Sequence, residues 1–270
     1  MTEPLIRVEK LVKRYARRGI GAGAAEFTSV DSVSFSILPG STLALVGESG
    51  SGKSSVALCL ACLERVTSGQ IWFEGRDVAA LADKELRAVR PRLQMVFQDP
   101  ATSLNPRWAV SEIVAEPLLV QRRVVSRDCG TRAAQWLERV GLGAEYLERR
   151  PAELSGGQRQ RVAIARALIL EPKVLILDEV LSALDVSIQA QIANLLVELQ
   201  RALGLAYLFI THDLRMAAYL ADEIAVMSRG KIVEQGATEK ILRSSECAET
   251  QSLLGATRVE RESIDAVRQR

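Results

Sequence analysis

Runs of apolar residues divide the chain into segments that are typical of β-strands. Ile6–Tyr15 and Val30–Ile37 are predicted strands, and Val33, Phe35 and Ile37 alternate with polar residues as in a strand with one buried face. Further apolar strands are predicted at Thr42–Val46, Leu93–Phe97, Val174–Leu177 and Tyr207–Ile210, and a late hairpin at Ile224–Met227 with Ile232–Glu234. Helical segments precede the later strands, so we predict an α/β fold with a mostly parallel, doubly wound core sheet.

Helical patterns fill much of the remaining sequence. Ser54–Leu63 is a predicted helix, and residues 99–153 form a helical region with apolar residues at helical spacing, such as Trp136, Leu137, Val140 and Leu142. Residues 17–25 are a predicted glycine-rich loop. We therefore predict one α/β domain at residues 1–243, in which residues 99–153 are an inserted helical subdomain. Residues 244–270 are a charged, weakly periodic tail.

Composition limits the classes of function. The chain has 270 residues, of which 48% are apolar, but its longest apolar run, Val162–Leu170, is broken by Arg166 and is shorter than the ~20 residues that a membrane span needs. Its beginning does not resemble a signal peptide, so we expect a soluble, cytoplasmic protein. With 35 basic and 33 acidic residues the net charge is only +2, which argues against nucleic-acid binding.

The four cysteines offer little metal chemistry. Cys59 and Cys62 form a C-x-x-C pair within an apolar helix, and the chain lacks the second such pair that a zinc site needs. We expect both to be buried core residues, with a redox or metal role as the alternative.

A glycine-rich loop follows the strand Thr42–Val46 and precedes a helix. It is Gly47-Glu48-Ser49-Gly50-Ser51-Gly52-Lys53-Ser54, a complete match to the Walker A phosphate-binding pattern. Gly50 and Gly52 let the backbone curl so that successive N–H groups point at one anion. Lys53 is expected to reach the β- and γ-phosphates of a nucleotide, and the Ser54 hydroxyl to bind Mg²⁺. The alternative is a glycine-rich turn with an incidental lysine.

Polar residues end several of the apolar strands, where open α/β sheets bind ligands. Asp178 and Glu179 follow Val174–Leu177 as a Walker B motif; Asp178 is expected to hold Mg²⁺, and Glu179 to act as the general base on water. The alternative for this pair is a salt-bridged surface cluster. His212, the single histidine, follows Tyr207–Ile210 and lies beside Asp213, and the alternative for it is an ordinary core or surface residue.

The segment Leu154-Ser155-Gly156-Gly157-Gln158 precedes a predicted helix at Gln158–Leu170. Ser155 and Gln158 have the spacing of a capping box. Gly156 and Gly157 leave backbone N–H groups uncovered at the helix N-terminus, which is suited to binding an anion. This segment is therefore both a helix start and a candidate phosphate site.

The phosphate loop followed by the LSGGQ segment resembles the ATP-binding cassette (ABC) family, and the resemblance covers nearly the whole chain. It implies the P-loop NTPase fold of an ABC nucleotide-binding domain, with an N-terminal antiparallel β subdomain and an inserted α-helical subdomain. It further implies that LSGGQ of one subunit closes over ATP held by another, and that a D-loop crosses this interface. The D-loop residues are Ser182, Ala183, Leu184 and Asp185.

The resemblance also assigns individual roles. Tyr15 would stack on adenine, and the alternative for it is an ordinary core or surface aromatic residue. Gln98 would contact Mg²⁺ or water, and His212 would contact the γ-phosphate. Two residues depart from the family pattern, since Ser55 replaces a commoner threonine and Val180 replaces a proline. Neither change removes a reacting group, so the resemblance implies a competent Mg²⁺-dependent ATPase.

Residues 98–107, together with Phe97, have the pattern FQDP-x-x-SLNPR, which resembles the ATPases of peptide and nickel importers. The chain resembles the second ATPase of these importers. That group implies integral-membrane permease partners, a second ABC ATPase or a second copy of this chain, and indirectly a solute-binding protein. It places the chain at the cytoplasmic face of the inner membrane. The His-Pro-Tyr-Thr segment common in the group is absent; Cys247–Leu254 occupies its place. The alternatives are a non-transport ATPase, such as a carbon–phosphorus lyase subunit, and a cassette that binds ATP without turnover.

One apolar cluster is a candidate docking surface for the permease. Trp108, Val110, Ile113 and Val114 follow Gln98 closely and are too apolar for a free surface if they are exposed together. The alternative is that they form the core of the helical subdomain.

Overall fold

The computed structural model describes residues 3–17, 25–121 and 126–257. Most of the predicted glycine-rich loop and the end of the predicted tail lie outside these residues. The described chain forms two compact units, one of residues up to 90 and from 206 onward, the other of residues 91–205.

The strands and helices follow the predicted order closely. The strands are β1 (Ile6–Arg17), β2 (Ala25–Ile37), β3 (Thr42–Val46), β4 (Ser68–Phe73), β5 (Arg76–Asp77), β6 (Leu93–Val96), β7 (Val174–Asp178), β8 (Ala206–Thr211), β9 (Glu223–Ser228) and β10 (Lys231–Ala237). The helices are α1 (Lys53–Leu60), α2 (Asp83–Val89), α3 (Pro100–Ser103), α4 (Val110–Val120), α5 (Ser126–Arg139), α6 (Gly156–Leu168), α7 (Val186–Leu203), α8 (Leu214–Leu220), α9 (Thr238–Ser244) and α10 (Ala248–Thr257).

The first unit contains an antiparallel sheet in the order β2-β1-β4-β5. It also contains β3, which pairs in parallel with β8 on one side and β9 on the other, and β10 pairs antiparallel with β9. Every residue of β3 and β8 is buried, which explains their continuously apolar sequences. The parallel core strands and the antiparallel N-terminal sheet confirm the predicted α/β architecture.

The second unit combines the parallel pair β6 and β7 with a set of packed helices. Helices α4, α5 and α6 contact one another, and Arg166 of α6 donates to a Glu116 carboxylate oxygen of α4 at 2.7 Å. All five residues of β7 are buried, so packing on both faces fixes the strand end at Asp178.

Most of the predicted docking cluster lies in this helical core. Val110, Ile113 and Val114 are each at most 1% exposed, so their prediction as an exposed surface is wrong. They face inward because α4 packs its apolar side against α5 and α6. Trp108, in contrast, is 37% exposed.

Cys59 and Cys62 are core residues, as expected, whereas Cys247 is only half-buried. Cys59, Cys62 and Cys129 are buried, and all four cysteines are free thiols. Burial raises the pKa of the Cys59 and Cys62 thiols to about 11, which keeps them protonated and unreactive at neutral pH. Within the described ranges, no group of three or more metal-binding side chains of the histidine, cysteine, aspartate and glutamate types occurs, and no helix has the length and apolarity to cross a bilayer.

Candidate functional site

The loop between β3 and α1 curls tightly and approaches its neighbours closely. Gly50 and Gly52 have φ angles of 80° and 104°, a left-handed conformation that favours glycine, so the predicted curl is present. A Cβ atom on Gly52 would overlap the carbonyl oxygen of Ser29, and one on Gly47 would overlap that of Met227. Glycine is therefore required at these two positions by packing.

Lys53 lies within this loop and holds it together. Its side chain is buried, and its Nζ donates to the carbonyl oxygens of Gly47 and Glu48 at 2.8 Å each. The Ser51 hydroxyl lies 3.4 Å from the same nitrogen. A cation held at the centre of a curled backbone, at the N-terminal end of α1, creates a local positive potential suited to an anionic ligand.

Contacts from β2 and the β9–β10 turn fix the loop from outside. The backbone N–H of Gly230 donates to the Ser51 carbonyl at 3.0 Å, and the N–H of Asp31 donates to the Gly230 carbonyl at 2.8 Å. No local sequence pattern predicts this bridge, because Gly230 belongs to no phosphate-binding motif and is distant along the chain from Ser51.

Tyr15 is tied to the beginning of α1. Its hydroxyl lies 3.4 Å from the Ser55 Oγ, and Ser55 is in turn hydrogen-bonded to the Ser29 hydroxyl at 2.7 Å. The Lys13 Nζ lies 4.7 Å from the centre of the tyrosine ring. Ser55, the departure from the commoner threonine, thus links the aromatic ring and β2 to the phosphate loop.

His212 directly follows β8 in the same unit. The carboxylate of the neighbouring Asp213 caps α8 and accepts from the backbone N–H and the guanidinium of Arg215 at 2.8 Å each. Burial raises the pKa of Asp213, but the hydrogen bonds and charge of Arg215 outweigh this and hold the pKa below its usual value.

The second unit brings together Gln98, Glu179 and Ser182. The Gln98 Nε2 donates to Glu179 Oε2 at 3.2 Å and lies 3.5 Å from the Ser182 Oγ. The Ser182 Oγ donates to the Glu179 carbonyl at 2.8 Å. Asp178, the last residue of β7, is 8% exposed. Gln98, Glu179 of the Walker B motif and Ser182 of the D-loop therefore form one connected polar cluster.

The LSGGQ segment begins α6 as the sequence predicts. The Ser155 Oγ accepts from the Gln158 backbone N–H at 3.3 Å, and the Gln158 Oε1 accepts from the Ser155 N–H at 2.9 Å, which completes a capping box. A Cβ atom on Gly157 would come within 2.6 Å of the Ile188 side chain, whereas one on Gly156 would meet Leu184 at 3.4 Å. Gly157 therefore permits a close contact between α6 and α7.

The remaining predicted residues flank these groups. Glu48 and Ser49 lie in the phosphate loop, and Leu154 is buried just before α6. Ala183, Leu184 and Asp185 connect Ser182 to α7, where Asp185 is the residue before the first helical turn.

Comparisons with known proteins place the chain in a family. The family model described as "ABC transporter" matches residues 30–182. The glutathione import ATP-binding protein GsiA of Escherichia coli strain K12 is 46% identical over 259 residues, and that of Shigella boydii serotype 4 is also 46% identical. Each alignment covers 95% of this chain but only 42% of the relative, so the chain spans about two-fifths of their length.

Solved structures agree in fold. The dimeric ATP-binding cassette MJ0796, in a post-hydrolysis state bound to ADP and Pi, matches with a TM-score of 0.77 and 28% identity over 86% of this chain and 98% of that one. The structure of cbiO1 from Clostridium perfringens, part of the transporter complex cbiONQ, has a TM-score of 0.77 and 26% identity, and covers 99% of both chains. The chain therefore belongs to the ABC transporter family and carries its ATPase cassette.

Proposed function

We propose that this chain hydrolyses ATP to power solute import through a membrane permease. The observation that carries the proposal is the curled loop with buried Lys53 at its centre, at the start of α1. Nucleotide phosphates replace the loop carbonyls as the partners of the ammonium group, and the loop N–H groups bind the phosphate oxygens.

In this proposal Glu179 is the general base that accepts a proton from the attacking water. Gln98, which donates to Glu179, and His212 orient the water and contact the γ-phosphate. Ser54, Gln98 and Asp178 would hold Mg²⁺ in this proposal, since each carries an oxygen atom of the kind that the ion prefers. A bound Mg²⁺ supplies charge neutralisation at the phosphates. Tyr15 stacks on the adenine base.

Two chains are needed for a complete site in this proposal. Leu154, Ser155, Gly156, Gly157 and Gln158 of one subunit close over the ATP on the loop of the other. The D-loop residues 182–185 lie across the same interface. The dimeric form of the similar cassette MJ0796 supports this arrangement.

Import is the favoured biological role because the relatives at 46% identity are named as import ATP-binding proteins for glutathione, a small peptide. We propose a solute of the peptide or nickel class, a second ABC ATPase or a second copy of this chain as partner, and an indirect link to a solute-binding protein. The chain then acts at the cytoplasmic face of the inner membrane, bound through permease subunits.

Phosphate release from Mg-ATP tests the ATPase proposal. Lys53→Ala should weaken ATP binding more than about tenfold, or 1.4 kcal/mol, because the phosphates lose their central cation. Lys84→Ala is the matched control, since Lys84 belongs to the same unit but is exposed on α2. Equal ATP affinity of the two variants in calorimetry would show that the loop is not the phosphate site.

Crosslinking tests the transport role. A photo-crosslinker at position 108, which is partly exposed, should capture a permease subunit in membranes. Position 233, 40% exposed on β10, is the control. Capture from position 233 but not from 108 would rule out Trp108 as part of the permease contact.

A further inference from the structure

Phe27 is an exposed aromatic residue next to the proposed nucleotide site. It lies on β2, directly opposite Tyr15 of β1, and is 57% exposed. Directly opposed residues of an antiparallel pair project to the same face of the sheet. Phe27 and Tyr15 therefore stand side by side on one face.

That face is the one turned toward the phosphate loop. The Tyr15 hydroxyl lies 3.4 Å from the Ser55 Oγ of α1, and Phe27 projects to the same face as Tyr15. Ser29, two residues beyond Phe27, lies where the pairing of β1 and β2 shifts register. The Ser29 hydroxyl is hydrogen-bonded to Ser55 at 2.7 Å, and its carbonyl oxygen contacts the backbone at Gly52 so closely that a Cβ atom there would not fit. Phe27 is thus two residues along the chain from a residue that touches the loop and α1.

Tyr15 is held in place, whereas Phe27 is not covered. One face of the tyrosine ring has the Lys13 ammonium at 4.7 Å, and that ammonium is itself anchored on Glu64 Oε2 at 2.6 Å. The tyrosine hydroxyl is near Ser55. A planar ligand stacked on the remaining face would therefore meet a fixed ring and, beside it, the exposed ring of Phe27.

We propose that Phe27 is a second base-contacting residue, which with Tyr15 forms a two-ring aromatic surface for the adenine of the bound nucleotide. This rests on the proposed function, because the phosphates must occupy the loop for the base to reach this surface. Two rings favour a purine over a smaller pyrimidine, since the larger π-surface covers both. Phe27 is therefore a specificity-determining residue.

The test compares ligands that share phosphates but differ in the base. Affinities for Mg-ADP, Mg-UDP and Mg-pyrophosphate are measured by calorimetry, so that hydrolysis does not interfere. Phe27→Ala should weaken ADP binding at least about fivefold, the lower end of base–aromatic stacking, and leave pyrophosphate binding unchanged. The preference for ADP over UDP should fall with it. Leu38→Ala is the matched control, because Leu38 is 44% exposed just after the far end of β2.

A conservative variant supplies a direct signal. Phe27→Trp should retain the affinity for ADP, and its added indole emission should change on binding ADP but not on binding pyrophosphate. Loss of pyrophosphate affinity in Phe27→Ala equal to the loss of ADP affinity would overturn the inference, as the effect would then be on the loop. Unchanged ADP affinity in Phe27→Ala would overturn the inference as well. This holds even if the variant no longer binds a protein partner, because Phe27 would then contact that protein and not the base. Failure of the parent protein to bind either ligand would instead refute the proposed function.

Discussion

Glu179 has a backbone conformation that is uncommon for residues other than glycine. Its φ angle is +48°, in the left-handed region that costs a non-glycine residue on the order of 1 kcal/mol. Ser182 offsets part of this cost, because its backbone N–H and its hydroxyl both donate to the Glu179 carbonyl, at 3.1 and 2.8 Å. The turn re-aims the chain after β7, so the carboxylate leaves the line of the strand and meets the Gln98 amide.

Glu179→Gln tests the proposed role of this carboxylate. The amide keeps the shape and the oxygen that can accept from Gln98, but it does not take a proton from water. Hydrolysis should fall about a hundredfold or more, as expected for loss of a general base, while ATP binding is retained and the protein dimerises in ATP. Parental phosphate release from the variant would show that the base lies elsewhere.

Substitution of Asp213 tests how much its ion pair with Arg215 contributes to the stability of the fold. Its carboxylate caps α8 and binds Arg215, so Asp213→Ala should lower the free energy of unfolding by about 1 kcal/mol near neutral pH. Because its folded-state pKa is lowered, this stability is present above the ordinary carboxyl pKa of about 3.9 and is lost as the pH falls through the folded-state value. Denaturant unfolding of both proteins should therefore show a difference that shrinks in acid. A constant difference at every pH would contradict the ion pair.

At the scale of elements, the start of α6 depends on α7 of the same chain. Gly157 lies against the Ile188 side chain, so the proposed ATP-contacting segment is positioned by an ordinary packing contact. Any substitution of Gly157 therefore disturbs this packing before a nucleotide or a second chain is involved. Loss of activity in such a variant does not by itself identify a phosphate contact.

Gly157→Ala should destabilise the protein by about 1–3 kcal/mol, because the added methyl group overpacks against Ile188. Adding Ile188→Ala should make the double variant more stable than the sum of the two single effects, since space is then available. Gly156→Ala is the control: its Cβ would meet Leu184 at an ordinary 3.4 Å. Denaturant unfolding gives the stability of Gly157→Ala, Ile188→Ala, the double variant and Gly156→Ala. Equal effects of the two glycine substitutions would show that packing against Ile188 is not the cause.

Elements with a strong local pattern could be predicted from the sequence, and those formed by distant pairing could not. β3, β7 and β8 are buried on both faces and were predicted to within one residue at each end. β4 was missed, since only Ile71 and Phe73 of its six residues are buried and it depends on pairing with β1, some sixty residues away. The contacts of Ser29, Ser182 and Ile188 depend in the same way on tertiary packing, which no local pattern contains.

At the scale of the whole molecule, the two halves of the proposed ATP site belong to different units of the chain. The phosphate loop lies in the unit of residues up to 90 and from 206, and the LSGGQ segment in the unit of residues 91–205. Every chain carries both, so head-to-tail pairing of two copies gives two composite sites. We propose that a second ABC ATPase, in place of a second copy of this chain, is the partner in the cell.

Ser155→Arg tests this pairing. A bulky cation at the N-terminus of α6 should prevent closure over the ATP of another chain, whereas ATP binding to the loop of the same chain is unchanged. Ser155→Ala is the matched control, because it removes the same cap hydrogen bond to Gln158 without adding a charge. Only the arginine variant should lose nearly all phosphate release while it still binds ATP in calorimetry.

Mixing then distinguishes a homodimer from a heterodimer. Ser155→Arg and Lys53→Ala proteins are each inactive alone, but a mixed dimer has one site with an intact loop and an intact LSGGQ segment. Random pairing of equal amounts makes about half of the dimers mixed, so about a quarter of the parental activity should return if purified chains form homodimers. If the purified parent is active, no recovery from the mixture would refute the shared site. If the purified parent is itself inactive, the chain requires a different ATPase as its partner. Full activity of either variant alone would refute the shared site, because each substitution removes one of the two halves on which every composite site depends.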